Sequence, residues 1–186
     1  MRMLLVLLTL ITMLFTSFAY AQDYDSMYDN AQPFGTKLYN DIDPYEDEDA
    51  IKYAYSPYPL FRTSATLYFK DSVIEPGYYS LTPRKLKDKD YLLFKQGGKV
   101  RFIIPVVKKE ATPINFYEAN TPKIKLTPTQ KIAKSVKTKF YKIAKDSMKT
   151  EPPKSLVNVV VEVKYIVIQL YYGPDKYTAI FRRTPY

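Results

Sequence analysis

From Thr66 onward, short apolar runs and turn residues alternate at strand-like spacing, the pattern of a β-rich fold. Thr66-Leu67-Tyr68-Phe69 is the first such run. Pro76-Gly77 fits the central positions of a type II turn, with glycine supplying the positive φ. Residues 78–82 then lead away as a strand that Pro83 stops. Residues 91–96 and 99–107 flank Gly97-Gly98, a two-residue hairpin signal. Pro105 in the second run marks an edge position, a bulge or an early strand end. Residues 114–117 add another short strand.

Val157, Val159, Val161, Val163, Tyr165 and Val167 share one face of a long β-branched run. Its later half is apolar on the other face too, at Ile166, Ile168 and Leu170, which predicts a central strand covered on both sides there. Gly173-Pro174-Asp175 turns the chain into residues 177–181 and makes a C-terminal hairpin.

One stretch has helical periodicity, 128–149. Thr127 can cap it, Pro128 suits the first helical position, and Pro152-Pro153 bars continuation. Ile132, Ala133, Val136, Phe140, Ile143 and Ala144 fall on one face. Lys131, Lys134, Lys142, Lys145 and Lys149 form a separate band on the far side. These elements predict a mostly β, α+β domain over 60–186: a small antiparallel sheet, sandwich or half-open barrel with one amphipathic helix packed on it.

The chain before Leu60 follows neither period, and charge sharpens the contrast. Residues 22–50 carry nine acids against Lys37, a net of −8, whereas residues 51–186 carry 26 basic and 10 acidic side chains, a net of +16. Self-repelling acids and scattered apolar residues predict a disordered, tyrosine-rich acidic arm and linker over 22–59. Pro57 and Pro59 favour extended backbone at the linker's end.

At the start, Met1-Arg2-Met3 precedes an apolar run over 4–18 and the small-x-small site Ala19-Tyr20-Ala21. That is the pattern of a signal peptide, 1–21, cleaved before Gln22. The run is shorter than the ~20 apolar residues of a membrane span. No later apolar run approaches that length, so no span is expected after cleavage. The chain has no cysteine, so export without disulfides predicts a bacterial envelope or extracellular protein.

Chemistry is bounded by what is missing. With neither histidine nor cysteine, the usual general base and the usual zinc, haem and iron–sulfur ligands are gone. No cofactor or metal is expected. Asp41-Ile42-Asp43 begins like a calcium loop, but Glu46 stands where an EF-hand needs glycine. A solvated acidic run is the better reading. Glu75, Glu110, Glu118 and Glu162 are carboxylates whose spacing does not bring them together, and Ser155 beside Lys154 points to the opposite face of a strand.

The remaining candidate is the lysine band, Lys131, Lys134, Lys142, Lys145 and Lys149. It is either a solvated outer face or an anion-binding surface for anionic lipid or a cell-wall polymer. The arm's own Glu46, Asp47, Glu48 and Asp49 would then compete for it. Nucleic acid fits least, since no recognition module surrounds the aromatic strands. The sequence thus predicts an exported, non-enzymatic accessory, binding or structural protein. The alternative is a carboxylate-dependent hydrolase of an envelope polymer.

Overall fold

A computed structural model describes residues 23–121 and 149–185 and builds nearly half of them into two antiparallel sheets. The four-stranded sheet runs β1 (Leu60–Thr63), β4 (Gly77–Leu86), β5 (Lys89–Gln96), β6 (Lys99–Pro105). The six-stranded sheet runs β3 (Ser72–Ile74), β2 (Leu67–Phe69), β10 (Asp175–Arg182), β9 (Tyr165–Tyr172), β8 (Ser155–Val161). In that sheet β7 (Lys108–Ala111) also pairs with β10. Three short α-helices, α1 (Tyr24–Asn30), α2 (Glu46–Lys52) and α3 (Phe116–Asn120), and a 3-10 turn at Tyr39–Asp41 complete the described elements. The mostly β, antiparallel class expected from the sequence is what the chain adopts.

The two sheets face each other across an aromatic core. Phe61, Leu81, Leu92, Phe94 and Ile104 come from the smaller sheet, and Phe69, Ile168, Leu170 and Phe181 from the larger. Phe94 meets Phe181 edge-on at 5.7 Å between ring centroids, joining the layers, and Phe69 and Tyr79 extend the cluster in the same geometry. Tight turns set the registers. Gly97 and Gly98 both take positive φ between β5 and β6, as a two-residue type I′ turn requires. Gly173, also at positive φ, precedes Pro174 between β9 and β10.

Several expectations are corrected. Gly77 is not in the left-handed region; it begins β4 and pairs with Thr63. β4 does not stop at Pro83 but continues to Leu86. The Leu81 amide donates to Pro59 O on the β1 side, and Pro83, two residues on, has its nitrogen on that same side. β1 does not extend that far, so no ladder bond is lost. Residues 116–120, expected partly as strand, form α3 after Asn115 takes a left-handed conformation. The long valine run is two strands, because Glu162, Val163 and Lys164 turn β8 back on β9. β9 is central and buried on both faces, as expected of the later half, but Val159 and Val161 on β8 are exposed.

The largest difference lies before Leu60. Residues 23–59 do not stand apart as a disordered arm. Asp23 caps α1 by accepting from the Ser26 amide, and Tyr28 is fully buried against Phe69 and Tyr165. Phe34 and Leu38 then join Leu86, Tyr91, Leu93 and Val100 in a second cluster on the outer face of the smaller sheet. The segment is a strap whose apolar residues are divided between two surfaces, Tyr24, Met27, Tyr28 and Ala31 on the main core and Phe34 and Leu38 on the outer cluster. That is why no single period marks it. The expected helix 128–149 and signal segment 1–21 lie outside the described residues. No helix among the described residues is long and apolar enough to cross a membrane.

Candidate binding groove

β5 is covered on both faces, which its run Tyr91-Leu92-Leu93-Phe94 reflects. Leu92 and Phe94 face the main core, so Tyr91, Leu93 and Lys95 face outward, beneath the strap. The register places Arg84 opposite Tyr91 and Ser80 opposite Lys95, so the outer face carries two cations. The strap brings acids to meet them. Arg84 Nε donates to both oxygens of Asp43, at 2.8 and 3.0 Å, and Nη2 reaches Asp43 Oδ2 at 2.7 Å. Nη2 also donates to Asp49, and Nη1 to the Tyr58 hydroxyl at 2.7 Å. Tyr58 in turn donates to Asp49. Lys95 Nζ lies 3.4 Å from Asp43 and 3.0 Å from Glu46.

The electrostatics follow from this bonding. Burial alone would raise the Asp43 carboxyl, but the hydrogen bonds and charge of Arg84, with the Tyr45 amide and Lys95, hold it below the usual 3.8. Burial would likewise weaken the Arg84 guanidinium, yet Asp43 and Asp49 raise its affinity for its proton. Burial and the bond to Asp49 push the Tyr58 phenol far above its usual 10, so it acts as a neutral donor. Arg84 is further sandwiched by the Tyr45 and Tyr58 rings, 5.6 and 5.1 Å from their centroids.

Beside this cluster the strap stands away from the sheet and leaves a groove of about 540 Å³. Tyr53, Tyr55, Tyr58 and Tyr78 wall it, with Ser80, Gln96 and the Gly97-Gly98 turn at one end. The Tyr55 and Tyr78 rings are largely exposed, whereas Tyr58 stacks on Tyr172 at 5.6 Å. The groove therefore offers ring faces and neutral polar groups, while Asp49, Glu46 and Lys95 along it are already paired.

Of the lysines singled out in the sequence, only Lys149 is described. It sits at the groove rim, where Nζ donates to Ala50 O at 2.5 Å. Its neighbour Thr150 bridges Tyr53, exchanging backbone bonds with Lys52 and Ala54. Lys131, Lys134, Lys142 and Lys145 lie outside the described residues. The four scattered carboxylates sit on separate elements. Glu110 on β7 pairs with Lys108 at 2.8 Å and Lys176 at 3.0 Å, Glu75 precedes β4, Glu118 is on α3, and Glu162 is in the β8–β9 turn. Among the described residues no three acids are placed to hold a metal, and Asp43 of the calcium-like run is turned onto Arg84.

Sequence reasoning missed Arg84, Lys95 and Tyr58. The available signal was Lys95, a lone cation ending an otherwise apolar run on a two-sided strand. Comparison with protein-family models, with curated proteins and with solved structures finds no match for this chain.

Proposed function

We propose that this is an exported binding protein whose ligand is an acidic polysaccharide of the cell envelope, held in the tyrosine-walled groove. The observation that carries the reading is the groove's composition: the exposed rings of Tyr55 and Tyr78, the latter with Arg62 over one face, beside paired charges, with Lys149 on the rim. Sugar rings present apolar faces that stack on tyrosine and hydroxyls that bond to groups such as Gln96 and Ser80. The acidic groups of such a polymer are drawn by the basic stretch that rejoins the fold at Lys149 and carries Lys131, Lys134, Lys142 and Lys145. Asp47 and Glu48, both exposed on α2, compete for those lysines.

The test is co-sedimentation or calorimetry with a polyuronate and with its neutral counterpart over a salt series. The polyuronate binds more tightly, and the difference shrinks as salt rises. Tyr55→Ala with Tyr78→Ala weakens binding to both polymers, and Lys134→Glu/Lys142→Glu/Lys145→Glu weakens only the acidic one. Asp47→Asn/Glu48→Gln strengthens the acidic one at low salt. Equal binding by all variants would overturn the reading.

A further inference from the structure

Strand edges in this fold are guarded in ways that β8 is not. β6 ends in Pro105 and faces a register shift at Phe94/Lys95, β1 is four residues long with exposed Arg62, β3 has three residues, and β7 is Lys-Lys-Glu-Ala. β8 is seven residues, Ser-Leu-Val-Asn-Val-Val-Val, with no proline, no charge and an unbroken register on β9. Among the described residues no strand lies beyond it. Such an edge is a template for another strand.

The groups on that edge can be assigned. The Glu162 amide donates to Tyr165 O, and Lys154 O accepts from the Gly173 amide, so even-numbered residues direct their backbone toward β9. Ser155, Val157, Val159 and Val161 therefore direct theirs outward. Val159 and Val161 are also 41% and 61% exposed, although their cross-strand neighbours Ile168 and Ile166 are buried.

We infer that this edge pairs with the β8 strand of a second copy of the chain, antiparallel across a two-fold axis at Asn158. Hydrogen-bonded pairs must join outward-directed residues, and an axis at Asn158 satisfies this with Val157 opposite Val159 and Ser155 opposite Val161. About eight backbone hydrogen bonds result. Extended outward, the same register sets Lys154 opposite Glu162 at both ends. Both residues are exposed, and neither side chain belongs to an ion pair among the described residues. The backbone permits this register, and among the permitted ones it is the flanking charges that select it, which fits the strand to its own copy. The exposed valines of both chains then form one continuous apolar stripe.

The test uses sedimentation of the purified chain over a concentration range, with charge variants. The wild-type chain dimerises. Lys154→Glu alone and Glu162→Lys alone each set like charges opposite one another and weaken the dimer by roughly tenfold. An equimolar mixture of those two variants restores it, because each mixed pair is again of opposite sign. Asn158→Cys, the lone thiol in a cysteine-free chain, lies on the axis where Cα atoms are about 4.5 Å apart, and it forms a disulfide-linked dimer on mild oxidation. Val160→Cys, displaced from the axis, does not. A chain that stays monomeric, a mixture that recovers nothing, or equal crosslinking at the two positions would each overturn the inference.

Discussion

Replacing Asp43 by asparagine tests whether the charge cluster fastens the strap to the sheet. The side chain is fully buried and receives three contacts of 2.7–3.0 Å from Arg84, with Lys95 at 3.4 Å. Removing one partner of a buried pair costs about 3–5 kcal/mol, because the other charge stays desolvated. Arg84 keeps Asp49 and Tyr58, so the lower end applies, about 3 kcal/mol. With a urea slope of about 1–3 kcal/mol per molar, the unfolding midpoint falls by about 1–3 M at neutral pH.

The pH dependence fixes the sign. The Asp43 carboxyl is held below 3.8, so its stabilisation is present above that value and is lost as pH falls through the lower, folded-state pKa. Wild type and Asp43→Asn therefore converge as pH drops below about 3.8. Urea unfolding followed by near-ultraviolet dichroism, from pH 7 to pH 2, measures both effects. Replacing the cluster together, Asp43→Leu with Arg84→Met and Asp49→Asn, leaves Lys95 on Glu46 and regains much of the loss. A midpoint change below about 0.2 M at pH 7, or a gap that persists unchanged in acid, refutes the account.

Other outcomes follow from the fold. Tyr28→Ala removes a fully buried ring and leaves the Lys70 amide without its acceptor, at a cost of about 3–5 kcal/mol measurable by thermal melting. Deleting residues 23–59 uncovers the outer face of the smaller sheet and prevents cooperative unfolding, which calorimetry would detect. Gly98→Val forces a β-branched residue into positive φ and loosens the β5–β6 hairpin, seen as faster amide exchange there. Pro83→Ala, at a nitrogen that β1 does not reach, changes stability by less than about 1 kcal/mol in the same melts.

Legibility in the sequence followed how local each cause is. The β5–β6 hairpin was readable because two adjacent glycines leave few alternatives. The β4–β5 hairpin was not, since Lys87 and Asp88 take positive φ without glycine, held there by the strands on either side. The break between β8 and β9 was hidden because Val163 continues the valine alternation through a turn. The strap was illegible for a different reason: Tyr28 docks on the main core while Phe34 and Asp43 dock on the outer face of the smaller sheet, and a period appears only when one element faces one surface. The charge asymmetry led to the expectation that acids of the strap compete for the lysine band over 131–149, most of which lies outside the described residues. The cations they meet in the described structure are Arg84 and Lys95, which composition alone could not single out.

β10 is the last strand in the chain, yet it occupies the interior of the larger sheet, between β9 on one side and β2 and β7 on the other. Tyr68 finds its partner Arg182 only after nearly the whole intervening chain has been made. The sheet therefore cannot assemble in the order of synthesis. The β8–β9–β10 meander is joined by short local turns, whereas docking of the earlier strands on it requires loop closure over a long chain separation, which is slow. Until then the apolar faces of β2 and β9 are open to any factor that recognises unfolded chains. Late placement of a central strand thus defers closure of the larger sheet until the final stretch of the chain is in place.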